Sequence, residues 1–314
     1  MTWATGNRMY GTAMSALVAT AALSLLTACG EEGLADESDA GDAGDAGADD
    51  TDGADAGGAD AGADPYYGWV HLFDYDASVP LDFETASTDM QDGMTVSEVS
   101  YRGALDRVPA TLVEPPGDGP FPGIVFLHWG GADRSEFLDE AVALAASGAV
   151  GLSIDAPWNR PDPVSTTPDE AGIQIVIDVR RGVDLLDSLP NVDGERLAFV
   201  GHSYGASRGG VLAGIERRFD AFALMTGYGR PSVYDGESAP SSFMDGIHYV
   251  NHAAPASLLF QFASADEYVT EAQAYEFYTP ASEPKEIVWY DSGHALNAAA
   301  LGDRGAFLAE ALGF

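Results

Sequence analysis

The sequence predicts an α/β domain: a mostly parallel central sheet with helices on both faces. Three observations carry this. From Ile124 onward, short apolar runs alternate with longer stretches of helical spacing, the order that parallel crossover units require. The runs themselves, "IVFLHW", "AVGLSID", "RLAFVGHS", "FDAFALMTG", "ASLLFQFA" and "EIVWYD", are nearly continuous in apolar residues, as in strands covered on both faces. One of them runs through "FVGHSYGA", Phe199 to Ala206, so that a G-x-S-x-G sits between a strand and a helix.

The elements follow in order. "GMTVSEVSYRG" and "VPATLVEP" alternate as half-buried strands around a turn at Ala104 to Arg107, and "PPGDGPFPG" is a turn-rich connection. "SEFLDEAVALAASG" places Phe137, Val142 and Leu144 to Ala146 at helical spacing and stops at a glycine. A proline-rich loop, "APWNRPDPVSTTPDE", precedes a long amphipathic helix, "AGIQIVIDVRRGVDLLDSL", with Pro190 just beyond it. "YGASRGGVLAGI", "AQAYEFYT" and "ALNAAALGDRGAFLAEAL" are further helices. The region contains no internal repeat.

Composition divides the chain into residues 1–28, 29–64 and 65–314. In the first part Arg8 is the only charged side chain, ahead of an apolar run, Ala13 to Leu26, that is short for a bilayer span. The run ends in Leu26-Thr27-Ala28-Cys29. This resembles a bacterial lipobox, in which the signal is cut before the cysteine and the cysteine is lipidated. The resemblance implies export, lipid anchoring through Cys29 and a place in the bacterial cell envelope. Gly30 in the next position leans toward the outer membrane or the cell surface. Cys29 is the only cysteine, which excludes an intrachain disulfide, a thiol nucleophile elsewhere and a cysteine metal site.

Residues 30–64 repeat Asp-Ala-Gly, with no aromatic residue, lysine or arginine. Alanine supplies nearly all the apolar content, too little to offset the entropy of ordering, so a disordered acidic tether is expected. The aspartates lack the closing Glu of an EF-hand and the G-G-x-G-x-D repeat, so a solvated spacer is expected in place of a calcium site. The whole chain has a formal net charge of −36, and residues 65–314 hold 37 acidic and 13 basic side chains, a net −24. Such a surface repels phosphate backbones and excludes nucleic acid as a partner. It suits a saline habitat or serves solubility alone.

The G-x-S-x-G has the context of a nucleophile elbow, with Ser203 in a strained turn and small neighbours at Gly201, Gly205 and Ala206. The elbow order expects an acid and then a histidine at later strand ends. His294 follows the last strand in "SGHAL", and Asp266 follows the strand before it in "LLFQFASADEYV". Glu267 is the adjacent alternative, and Asp291 lies too close to His294 along the chain to come from a separate strand. The backbone N–H of Tyr204 is one expected oxyanion donor. The second comes from His128-Trp129-Gly130-Gly131, with Gly130 preferred and Trp129 the alternative. His128 is expected to brace that loop, and His71, His202, His248 and His252 to be structural. Trp158, and the segment from Tyr228 to Tyr249 with Tyr234 and Phe243, either shape a pocket or form ordinary surface loops. No H-E-x-x-H, cysteine cluster or phosphate loop is present, so neither a metal nor an organic cofactor is expected.

"FPGIVFLHWGG", "DVRRGVDLLDSLPNVDGERLAFVGHSYGA", "FQFASADEYV" and "SGH" together resemble the α/β-hydrolase superfamily, in the branch near dienelactone hydrolases, acetyl xylan esterases and prolyl-oligopeptidase catalytic domains. Dienelactone hydrolases typically use cysteine where this elbow has Ser203, and no propeller precedes the hydrolase region. The resemblance implies a serine hydrolase acting on a small-molecule or polymeric acyl ester, with Ser203, His294 and Asp266 as its triad. A peptidase or thioesterase on the same triad, and a non-catalytic binding module on the same fold, are the alternatives.

Overall fold

The computed structural model describes residues 64–164, 166–236 and 239–314. The expected signal, Cys29 and all of the expected tether except Asp64 lie outside the described residues. Asp64 itself accepts the N–H of Tyr66 at 3.1 Å and pairs with His252 at 2.8 Å. After short helical turns at Tyr66–Trp69 and Val70–Phe73, nine strands form one sheet. They are β1 (Glu84–Gln91), β2 (Met94–Arg102), β3 (Arg107–Glu114), β4 (Phe121–Leu127), β5 (Val150–Ile154), β6 (Val192–His202), β7 (Phe219–Met225), β8 (Ser257–Ala263) and β9 (Lys285–Tyr290). Among the described residues the helices of eight or more residues are α1 (Leu138–Ala146), α2 (Pro168–Ser188), α3 (Tyr204–Ile215), α4 (Glu271–Tyr278) and α5 (Ala298–Leu312).

The strand order is β1-β2-β3-β5-β4-β6-β7-β8-β9. Pairing is antiparallel from β1 to β5 and parallel from there to β9. The sequence therefore predicts the parallel part and its two covered faces. β1 was not expected from the sequence. Its residues "ETASTDMQ" are exposed nearly throughout, so no apolar alternation marks it; pairing to β2 alone makes it a strand. α2 also starts earlier than its apolar pattern. Thr167 and Glu170 form a capping box, each bonding the other's backbone N–H, and draw the helix start back to Pro168.

Alternation along the strands sends apolar side chains to two cores. Val125, Leu127, Leu197 and Phe199 face one side, with Ile175, Val179, Val211 and Leu212 from α2 and α3. Ile124, Phe126, Ala198 and Val200 face the other, with Phe137, Ala141, Leu308 and Leu312 beside α1 and α5. On that second side Arg304 of α5 is buried, donating to Glu140 of α1 at 2.7 Å and to Gln261 of β8 at 2.7 Å. This pair ties both helices to the sheet, with the guanidinium's charge met inside the fold. Among the described residues no helix is long and apolar enough to cross a membrane.

Phe199 is fully buried at the centre of the first core, in contact with Phe219 and Phe222 rings. Phe199→Ala is expected to cost about 3–5 kcal/mol, read as a lowered urea midpoint at unchanged slope.

Candidate active site

The site is built at the carboxyl ends of the parallel strands. The chain leaves β4, forms β5 on one side of it and β6 on the other. That reversal opens a crevice above β4, where ligands bind in open α/β sheets. Leu127 of β4 lies in register with Gly201 of β6. The loop after β4 and the turn after β6 are therefore neighbours by pairing alone.

Ser203 occupies the turn between β6 and α3 at φ +52°, ψ −105°, a conformation that is costly for a residue with a side chain. Its N–H donates to the Met225 carbonyl at 2.7 Å, fixing the turn to β7. The flanking glycines are steric requirements. A Cβ on Gly205 would lie 2.0 Å from the Leu127 carbonyl oxygen, and one on Gly201 would lie 2.5 Å from the Gly205 backbone. Helix α3 can thus begin in contact with the end of β4. As the first helical residue, Tyr204 has no acceptor for its N–H within the helix, and the positive end of the helix dipole lies at Ser203.

Asp266 and His294 come together across the ends of β8 and β9. His294 Nδ1 donates to Oδ1 and Oδ2 of Asp266, each at 2.9 Å, with both side chains almost fully buried. Burial pushes the Asp266 carboxyl up. The hydrogen bond from His294 and the N–H groups of Tyr268 and Val269 outweigh burial and hold the carboxyl below its ordinary value. Glu267 and Asp291 are both exposed, and Asp266 alone of the three acids bonds the imidazole. The His294 carbonyl accepts from His202 Nε2 and from Thr226 Oγ1, each at 3.1 Å. Both donors flank the elbow, so His294 is anchored beside Ser203. Thr226 and Leu296 share positive φ with Ser203, at +44° and +61°; strained backbone gathers around this histidine. Among the described residues the Ser203 hydroxyl makes no hydrogen bond. The Asp266–His294 hydrogen bond is formed, and none joins His294 to Ser203.

The loop after β4 is held from two sides. His128 Nδ1 donates to the Trp129 carbonyl at 2.6 Å, and Nε2 accepts the N–H of Ala156 at 3.0 Å. The expectation that His128 braces the loop agrees with this geometry. Glu136 accepts the N–H of Trp129 at 2.9 Å and faces His202 Nδ1 with its other oxygen. The Trp129 N–H is thereby committed. Gly130, whose N–H has no acceptor among the described residues, lines the cavity with Ser203 and Tyr204. Of the two loop donors weighed from sequence, the geometry leaves Gly130 free. Glu136 was missed, because a lone Glu seven residues past Trp129 follows no motif.

The cavity beside Ser203 measures about 650 Å³. Trp158 stands on its wall, edge-on to Tyr204 at 4.6 Å. Arg160 holds the Trp158 loop down, pairing with Asp178 of α2 at 2.6 Å and with Asp106. Tyr228 also lines the cavity. Two other pocket candidates do not. Tyr234 reaches outward to Glu276 at 2.9 Å, and Phe243 packs against Phe73. The remaining histidines do not line the cavity. His71 is exposed beside Asp74, His248 meets Trp69 edge-on, and His252 stacks on Tyr66. Among the described residues no group of three or more His, Cys, Asp or Glu side chains is arranged to hold a metal ion.

Solved structures share this arrangement of strands and helices. An acetyl xylan esterase from Paenibacillus sp. R4 superposes with a TM-score of 0.66 at 20% identity, covering 79% of this chain and 94% of that one. A putative dienelactone hydrolase from Klebsiella pneumoniae subsp. pneumoniae MGH 78578 gives 0.58 at 16% identity, covering 71% and 99%. An S-formylglutathione hydrolase from Agrobacterium tumefaciens gives 0.60 at 14% identity, covering 73% and 99%. The chain has the α/β-hydrolase fold. No protein-family model and no curated protein matches the sequence. Within an α/β-hydrolase fold, Ser203, Asp266 and His294 stand in the expected chain order at the ends of β6, β8 and β9.

Because the folded Asp266 carboxyl titrates below its unfolded value, its stabilisation is complete above about pH 4 and is lost as pH falls through the folded value. Asp266→Asn is expected to be less stable than the parent at pH 7 by about 1–3 kcal/mol. Denaturant titrations should show that gap closing toward pH 2.

Proposed function

We propose that this protein is a serine hydrolase whose most favoured reaction is carboxylic ester hydrolysis. The observation that carries the reading is the closed Asp266–His294 pair, anchored through the His294 carbonyl beside the strained Ser203. The N–H groups of Tyr204 and Gly130, which have no acceptor among the described residues, and the esterases among the solved structures of this fold support it.

In this mechanism Ser203 Oγ attacks the ester carbonyl carbon as its proton passes to His294 Nε2. Asp266 holds the Nδ1–H and favours the imidazolium that forms. The N–H groups of Tyr204 and Gly130 bind the oxyanion. The carbon–alkoxide bond then breaks, and the leaving alcohol takes the proton from His294. Water attacks the acyl-serine, gives a proton to His294, and the Ser203 oxygen departs and recovers it, releasing the acid. Substrate binding closes the His294–Ser203 contact, as contacts that are long in free enzymes tighten in the Michaelis complex.

The test is hydrolysis of 4-nitrophenyl acetate near pH 8. Ser203→Ala is expected to lower kcat by at least about 10³-fold with its circular dichroism spectrum unchanged. Equal rates in the two proteins would remove the reading. Parallel thioester and peptide substrates are expected to be slower than the ester. The proposal extends to the cell envelope, with the domain carried on a tether lipidated at Cys29. Cys29→Ser expressed in a bacterial host should move the protein from the membrane fraction to the soluble one.

A further inference from the structure

Arg208 is the unexplained charge of the cavity. It sits one helical turn after Tyr204 in α3, only 3% exposed, on the wall of the cavity that holds Ser203. Its guanidinium lies over the Tyr204 ring at 4.5 Å. Its Nε and Nη1 are sealed from solvent and donate to nothing among the described residues. A guanidinium carries five donors and no acceptor and stays charged. Burying it with donors unmet is costly, and the other buried arginines avoid that cost. Arg160 meets Asp178 and Asp106, and Arg304 meets Glu140 and Gln261. Asp235, on the same wall, forms no salt bridge with Arg208 and accepts instead from the Tyr228 hydroxyl. Ser207, the residue before it in the helix, donates to the Ser203 carbonyl and accepts from the Tyr228 N–H, and does not bond Arg208. The aromatic face of Tyr204 supports a positive charge but accepts no in-plane N–H.

We propose that Arg208 is a specificity determinant for anionic esters: it binds a carboxylate carried by the acyl or the alcohol part of the substrate while Ser203 attacks the ester carbonyl. The proposal rests on the serine hydrolase reading above. A planar carboxylate matches the fork of the guanidinium and supplies acceptors that the described residues do not. The stacked Tyr204 ring holds that fork beside the oxyanion donor of the same residue. A net −24 on residues 65–314 makes a free anion's approach unfavourable, so the arginine rewards only a substrate that also fits the cavity.

The experiment uses two matched pairs on the full chain. Mono-4-nitrophenyl glutarate is compared with 4-nitrophenyl pentanoate, and 4-acetoxybenzoate with its methyl ester. The anionic member of one pair is expected to have a kcat/KM at least about tenfold above its neutral partner, the scale of a charge-assisted hydrogen bond in a dry site. Arg208→Gln should abolish that ratio and Arg208→Lys should keep part of it. Asp235→Asn should raise it. Neutral esters equal to or better than anionic ones in both pairs would overturn the proposal, as would a preference that survives Arg208→Gln. Binding is read separately on Ser203→Ala, where monomethyl glutarate should raise the melting temperature only while Arg208 is present. That readout separates a failed anion site, in which 4-nitrophenyl acetate is still cleaved through Ser203, from a failed hydrolase reading, in which the ligand still binds.

Discussion

The structure depends on one close approach, the contact of the Gly205 backbone with the Leu127 carbonyl. No side chain fits between the start of α3 and the end of β4. Because the gap is closed, the helix that carries the Tyr204 N–H and the loop that carries Gly130 meet above the same strand. The positive φ of Ser203 follows from the same constraint, since the chain must turn from β6 into a helix already pressed against β4. Packing of apolar faces makes the sheet stable, but this backbone contact makes its end a site.

Around that contact the polar groups form a connected frame. Glu136 joins the loop N–H of Trp129 to the ring of His202, and His202 reaches on to the carbonyl of His294. The loop after β4 and the histidine after β9 are thereby coupled without touching the cavity floor. His128 secures the other flank of the loop to the chain after β5. Groups positioned in this way need little reorganisation when charge develops at a bound carbonyl, which is the main source of electrostatic catalysis.

The placement of Ser203, Asp266 and His294 just past β6, β8 and β9 was legible in the sequence, because the elbow fixes a chain order and each lies just past an apolar run that reads as a strand. The alternation of those runs made the parallel part of the sheet legible for the same reason. What escaped was set by contacts between distant segments. β1 is exposed on both faces and exists through its pairing with β2. Gly130 was preferred over Trp129 from the sequence, but the contact that occupies the Trp129 N–H was not foreseen, since no spacing rule connects Glu136 to the loop. For Tyr234 and Phe243 the sequence left pocket and surface loop open; Tyr234 bonds Glu276 at the surface and Phe243 packs against Phe73. Arg208 left a faint signal: a single charge among small and apolar residues in "YGASRGGVLAGI" has no exposed helical face on which to sit.

The first described residues attach at the other end of the domain. Asp64 binds His252 in the connection before β8, and the Tyr66 hydroxyl donates at 3.1 Å to the Gly214 carbonyl, at the far end of α3 from Ser203. The rise of that helix puts the attachment roughly 16 Å from the mouth of the cavity. The first described residues and the cavity that holds Ser203 thus sit at opposite ends of α3. A load or a substitution at Asp64 or Tyr66 reaches the site only through the length of that helix, whose far end is already pinned by the Gly205 contact with β4.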